Sequence, residues 1–320
     1  MLLSETQSIT QPEGQVATPP FVSVIIPVYN DAVRLQRCLQ ALEQQTYPTD
    51  RYEVIVVDNG SANCVEIAAI AAQFKHAIVA LETVPGSYAA RNRGIGLASG
   101  EILAFTDADC IPAANWLKQG VKHLCHAPNQ GLVAGRVEIF FEDGQPVTAV
   151  ALYEKVTAFP QEQLLTQLKG GATANVFTFK SVMQRVGCFN PNLKARGDLE
   201  WGKRVYAAGY EQTYADDVWV AHPARSSYAE LCQRSRRLIG GIYDAQQAQN
   251  SSFLQQNLFF VKELLKNLVP PLFFIWNTLF DKRLETIAQK LKVAGVMCLV
   301  RYISAFELLR LKLGGQSIRV

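Results

Sequence analysis

Asp107 and Asp109 follow directly on the apolar run Ile102–Phe105, and carboxylates so placed could do chemistry. A short apolar run of this kind forms a buried strand, and in open α/β sheets ligands bind outside the carboxyl ends of strands. Two hard oxygen donors there suit a divalent cation, and the cation suits a diphosphate. The same Asp-x-Asp could equally form a turn that caps a helix starting near Asn115. Asp58 ends a second apolar run, Tyr52–Val57, where it could touch a ligand or close an Asx-turn before Asn59-Gly60. Asp198 stands where a helix N-cap would, with Gly209 where that helix would stop, so capping alone could explain it. His222 ends the run Val218–Ala221, and a lone histidine is more often structural than a ligand. Arg234, Arg236 and Arg237 make a dense basic cluster ahead of Gly240-Gly241.

Positioning such side chains takes a sheet, and the chain carries the pattern of one. Phe21–Val28 reads as a strand ending in Pro27-Val28-Tyr29-Asn30, followed by helical spacing at Leu35, Cys38, Leu39 and Leu42 with Asn30 or Asp31 as N-cap. Tyr52–Val57 is the second strand, a helix through Ile67, Ile70, Ala71 and Phe74 follows, and Ile78–Leu81 is a third, shorter strand. This strand–helix alternation predicts right-handed crossovers and a mostly parallel sheet, so Asn30, Asp58 and the Asp107/Asp109 pair arrive at one edge. Gly86–Gly96 reads as a small-residue helix capped by Ser87, and Gly94-x-Gly96 inside it lacks the third glycine of a dinucleotide fingerprint. Arg93 reads as a surface residue of that helix, and Arg91 could be either a surface or a site residue. Further along come a helix at Asn115–Cys125, a strand at Gly131–Phe140, a helical or irregular stretch from Val150 to Leu168, and a glycine-rich turn into a strand ending near Phe179.

At 320 residues and 49% hydrophobic, the chain can hold one large domain plus an appendage, or two domains. Its seven cysteines are odd in number and form no CxxC pair, which argues for a reducing compartment. Met1–Pro20 is polar, lacks the apolar segment of a secretory leader, and is expected to be a disordered arm. The net charge of +3 divides unevenly: residues 231–320 hold thirteen Lys and Arg against five Asp and Glu, and the remainder is net acidic. A basic, apolar tail points to an anionic surface. Its aromatics sit in apolar runs and are not interleaved with the basic residues, which argues against nucleic acid and for a membrane. Leu268–Phe280, broken by Pro270-Pro271, is shorter than the ~20 apolar residues of a spanning helix and suits an in-plane, interfacial element. A last amphipathic helix is expected from Ile287 to Leu313. The expected location is cytoplasmic, peripherally on the inner face of the membrane.

Taken in order, Val24–Asn30, Val56–Ser61, Ala89–Gly94 and Asp107-Ala108-Asp109 resemble family 2 glycosyltransferases of the GT-A fold, over roughly Phe21–Pro223. The resemblance implies an α/β, Rossmann-like, mostly parallel sheet flanked by helices, with the C-terminal amphipathic helices as an appendage. The implied division is an arm at 1–20, a catalytic domain at 21–230 and a basic helical region at 231–320. It also implies an inverting enzyme that uses a UDP- or GDP-linked sugar, a divalent cation (Mg2+ or Mn2+) and a glycan or lipid-linked acceptor. On that reading Asp58 contacts the base, Asp107 lies near the ribose, and Pro27, Tyr29, Asn30, Arg91 and Asn92 complete the donor site. Asp109 ligates the metal, with His222 where some members place a further ligand. Asp198 is the general base, although Gly197 replaces the preceding glutamate of the family's motif, and Glu200 is its understudy. Trp201, Arg234, Arg236 and Arg237 are acceptor or phosphate candidates. The family's processive Gln-x-x-Arg-Trp motif is met only in part by Gln233, Arg236 and Arg237. The rival readings are a non-catalytic sugar-nucleotide or membrane-surface binding module, and a nucleotidyltransferase.

Overall fold

The computed structural model describes residues 18–144, 146–249 and 252–318. The expected arm lies outside the described residues as far as residue 17. Its end is tied down: Tyr47 Oη donates to the Pro20 carbonyl at 2.6 Å, and Arg51 Nε and Nη2 donate to that of Pro19 at 2.9 and 2.7 Å.

The first half alternates as expected: β1 (Val22–Val28), α1 (Ala32–Glu43), β2 (Tyr52–Asp58), α2 (Cys64–Ala71), β3 (Ala77–Leu81), α3 (Ser87–Leu97) and β4 (Ile102–Thr106). These four strands pair in parallel in the order β3-β2-β1-β4. β1, β2 and β4 are buried along nearly their whole length, so they read as unbroken apolar runs. Successive side chains point to opposite faces: Val24 and Ile26 join Leu35, Leu39 and Ile67 on one side, and Ile25 joins Tyr88, Ala90 and Ile95 on the other. α3 begins at Ser87 itself, after Gly86 at φ 123°, so the cap expected of Ser87 is not made.

The second half is β5 (Ile111–Pro112), α4 (Trp116–Leu124), β6 (Gln130–Phe140), α5 (Ala149–Thr157), α6 (Gln161–Leu168), β7 (Asn175–Phe179), α7 (Lys180–Val186), α8 (Gly197–Ala207) and β8 (Glu211–Pro223). It extends the sheet to eight strands, β3-β2-β1-β4-β7-β6-β8-β5. β7 runs antiparallel to β4 and β6, β5 antiparallel to β8, and β6–β8 is parallel, so parallel pairings still predominate.

α9 (Tyr228–Gln249), α10 (Phe253–Leu268), α11 (Leu272–Phe280) and α12 (Ile287–Lys312) complete the chain. α9 runs straight through Gly240-Gly241. A Cβ at Gly241 would come within 2.8 Å of the Ala195 Cβ, so the glycine lets the loop before α8 pack close. The boundary expected at 230/231 falls inside this helix. A third apolar core joins Val150, Leu152 and Tyr153 of α5 to Leu231, Leu284, Val293 and Val296. Among the described residues no helix is long and apolar enough to cross a membrane.

Candidate active site

The carboxyl ends of β1 and β2 are stitched into one turn. Val28 pairs with Asp58, Ser61 donates its backbone N–H to Asp58 Oδ1 at 3.0 Å, and Asn30 donates its own to Ser61 Oγ at 2.8 Å. Asn30, at φ 52°, accepts from Ala62 N–H at 2.8 Å through Oδ1. Asp58 is therefore a buried turn-closer at a strand end. Pro27 is the sixth residue of β1, opposite Val57, and Tyr29 stands exposed beyond it.

β4 delivers Asp107 and Asp109 as expected. The buried Arg91 guanidinium donates from Nη2 to Asp107 Oδ1, which leaves Asp109 as the carboxylate without a fixed cation. β5, too short to read from sequence, sets Ile111 opposite Ala221 and so brings Asp109 beside His222. His222 Nε2 lies 3.3 Å from Asp109 Oδ2, and its Nδ1 lies 2.7 Å from the Pro223 carbonyl. That carbonyl can only accept, so the hydrogen bond puts a proton on Nδ1, and in the neutral ring Nε2 turns a lone pair toward Asp109. Two facing lone pairs at that distance call for a proton or a cation between them. Burial raises the Asp109 pKa, opposed by His222 and reinforced by Asp107. The donor set fits a divalent metal that takes its other ligands from phosphate and water. Among the described residues no cluster of three His, Cys, Asp or Glu side chains could hold a metal unaided.

Asp198 lies in the first turn of α8, one residue inside Gly197, with Arg196 at the cap position. Its carboxylate accepts from Leu199 N–H at 2.9 Å, Tyr88 Oη at 3.2 Å and Thr173 N–H at 3.4 Å. Burial outweighs these bonds and raises its pKa. Tyr88 and Arg91 stand one turn apart on α3, so a single helix braces both Asp198 and Asp107. Gly197 has a steric role: a Cβ there would meet the Tyr88 ring at 2.7 Å, and its N–H donates to Tyr88 Oη at 2.9 Å.

Four sequence candidates are placed elsewhere. Asn92 exchanges both amide hydrogen bonds with the Phe189 backbone, at 2.8 and 3.1 Å, and so pins that loop. Glu200 is held by Arg204 Nε at 2.9 Å, which draws it toward the carbonyls after α7. Trp201 is fully buried against Phe189 and donates to the Gly187 carbonyl at 3.1 Å, so it is core. Arg236 points at Glu307 of α12, 2.9 Å away, because it occupies the opposite face of α9 from Arg234 and Arg237.

Those two turn the other way, Arg237 near enough to feel the charge of Asp107. Arg234 Nη1 is 3.6 Å from Glu154 Oε1, and Arg237 has no carboxylate partner among the described residues. A cavity of about 200 Å³ is lined by Arg34, Asp109, Glu142, His222 and Arg225. Sequence reading missed Tyr88, Glu154 and Arg225. Arg225, two residues past the β8 end, carried a positional signal, and so did Glu154, one helical turn from Val150 on an apolar face. Tyr88 carried none.

Comparison with known proteins finds glycosyltransferases. Glycosyltransferase AglE of Haloferax volcanii is 43% identical over 230 residues, covering 70% of this chain and 74% of its own. The putative glycosyltransferase EpsH of Bacillus subtilis is 26% identical over 300 residues, 87% of this chain and 83% of EpsH. The pre-mycofactocin glycosyltransferase of Mycobacterium tuberculosis is 29% identical over 229 residues, which are 69% of this chain but 46% of that longer protein. Among solved structures, mannosyltransferase PcManGT from Pyrobaculum calidifontis, in complex with GDP-Man and Mn2+, superposes with TM-score 0.59 and 21% identity over 92% of this chain and 88% of its own. It shares the GT-A-like fold. Residues 23–187 match the profile of Glycosyl transferase family 2, and with the AglE similarity this establishes that the chain belongs to that family of glycosyltransferases.

Proposed function

We propose that the chain transfers a sugar with inversion from a UDP- or GDP-linked donor to a hydroxyl of a glycan or lipid-linked acceptor, in polysaccharide or glycolipid synthesis. The observation that carries this reading is Asp198: a half-buried carboxylate of raised basicity, fixed by Tyr88 and two backbone N–H groups. Inverting transfer is one in-line displacement at the anomeric carbon, and the acceptor hydroxyl needs a base opposite the leaving group. Asp198 takes that proton. Asp58, Pro27, Tyr29 and Asn30 seat the base, and Asp107, steadied by Arg91, meets the ribose. Asp109 and His222 would hold Mg2+ or Mn2+, which offsets charge on the departing diphosphate. The GDP-Man and Mn2+ bound by PcManGT support such a donor and metal. The protein works on the cytoplasmic face of the membrane, held there peripherally.

The test is a screen for nucleoside diphosphate release from UDP- and GDP-sugars, with and without Mn2+ or Mg2+, run beside Asp109→Asn. Metal-dependent release that the variant abolishes is the expected result. Absence of release from every donor with either metal would defeat the reading.

A further inference from the structure

Glu154, in the middle of α5, is fully buried, and a carboxylate persists in such a place only when paired. Its partners come from two other elements. Arg225 Nη1, just past β8, donates to Oε2 at 2.7 Å, and Arg234 Nη1 of α9 lies 3.6 Å from Oε1. Oε1 itself has no hydrogen bond. The helix is also fastened to the same segment at its start. Thr148, its N-cap, accepts from Ala151 N–H at 3.1 Å and donates Oγ1–H to the Ser226 carbonyl at 2.8 Å. α5 therefore grips residues 225 and 226 at two points.

The held arginine borders the site. Arg225 lines the cavity shared by Asp109 and His222. Two guanidiniums (Arg225 and Arg234) share one buried carboxylate, and Arg237 adds its charge beside them, so the cluster keeps an excess of positive charge. Burial, and for each the charge of Arg225, lower the pKa values of Arg234 and Arg237. An anion of at least two charges would satisfy this cluster. A free arginine gives up side-chain entropy when it closes on a ligand, and one already fixed gives up less.

We propose that Glu154 is a positioning residue for diphosphate recognition: it holds Arg225, with Arg234 behind, so that the Arg225 guanidinium meets the donor's diphosphate beside Asp109. This rests on the function proposed above. A merely structural ion pair would lower stability without distinguishing a diphosphate from a nucleoside, and that difference is the basis of the test.

Binding of UDP, GDP, uridine and guanosine to the full-length chain is measured by calorimetry in excess Mn2+. Glu154→Gln keeps the shape and removes the charge. The Kd of whichever diphosphate the wild type binds should rise roughly 10–100-fold, as for the loss of one charge-assisted hydrogen bond, with nucleoside binding unchanged. In turnover, donor KM should rise more than kcat falls. On an Arg225→Ala background the same substitution should change the Kd less than about two-fold, because Glu154 acts through that arginine. A folded Glu154→Gln protein with wild-type diphosphate affinity overturns the proposal, as does an equal loss of nucleoside and diphosphate. Should Glu154→Gln not fold, Arg225→Ala decides: retained diphosphate affinity overturns the proposal, and a selective loss of diphosphate supports it. A wild-type chain that binds neither diphosphate defeats the proposed function as well.

Discussion

As the proposed base, Asp198 must ionise in a half-buried place, and its pH behaviour follows from that. Its folded pKa is raised, so the active anion is lost as pH falls through a value above the ordinary ~3.9 of an aspartate. The acid limb of the kcat profile should therefore lie above the usual carboxylate range. The same sign governs stability. What the protonated group contributes is fully present below the unfolded pKa and is lost as pH rises through the raised folded one. Asp198→Asn should accordingly cut turnover ~10²–10⁴-fold, with donor affinity kept and the melting temperature at neutral pH unchanged or higher. Tyr88→Phe removes a donor from the base and orphans the Gly197 N–H. It should push the acid limb further up and cost about 1–3 kcal/mol of stability, read by pH–rate profiles and denaturant unfolding. Asp109→Asn removes the carboxylate facing His222, and Mn2+ titration followed by electron paramagnetic resonance should show metal affinity lost while the circular dichroism spectrum is unchanged.

The elements that could be read from sequence are those whose signal is local. β1, β2 and β4 are buried on both faces and carry it as unbroken apolar runs, with Asp58, Asp107 and Asp109 visible as their endings. β5 is two residues long and exists only through its pairing with β8, so the Asp109–His222 approach left no local trace. Arg234, Arg236 and Arg237 read as one cluster because sequence gives proximity, whereas the 3.6-residue turn sends Arg234 to Glu154 and Arg236 to Glu307. Asp198 was legible as a helix-start residue, but the Tyr88 that braces it is 110 residues away in sequence. One helix contact can be tested directly. α8 crosses the glycine-rich loop so closely that a Cβ at Gly202 would lie 2.4 Å from Gly170 Cα and 2.8 Å from the Lys169 carbonyl. Neither backbone can swing aside like a side chain, so Gly202→Ala should displace the helix one turn beyond Asp198. A stability loss of roughly 1–3 kcal/mol and a fall in kcat at unchanged fold are expected from thermal melts and steady-state assays.

At the scale of the molecule, the helical tail is both core and surface. α12 packs on α9 and α5 through Val293 and Val296, so truncation near Gln249 would open the third core. α10 and α11 nevertheless expose Phe253, Leu254, Leu258, Leu272, Phe273, Trp276 and Phe280, in a region rich in Lys and Arg. An apolar face with tryptophan and a basic surround suits an anionic bilayer surface, where each basic residue near the headgroups adds roughly 1 kcal/mol. The intact chain should sediment with anionic vesicles, less with neutral ones, and less as salt rises. Phe273→Ser with Trp276→Ser should abolish sedimentation and spare the fold, since both side chains stand mostly in solvent at 80% and 62% exposure. Indifference to anionic vesicles at low salt would leave that face without this partner.

The strand order also sets a timetable for the newborn chain. β4, which leads into Asp107 and Asp109, pairs on one side with β1 and on the other with β7, and β7 begins only at Asn175. The ribosome makes β7 about seventy residues after β4, and at ~5–20 residues per second the outer edge of β4 waits roughly 3–14 s for its partner. An unpaired, mostly apolar edge is a template for another chain. Weakening or delaying β7 should therefore lower the yield of soluble protein from the cell, while the molecules that do complete the sheet melt at an ordinary temperature.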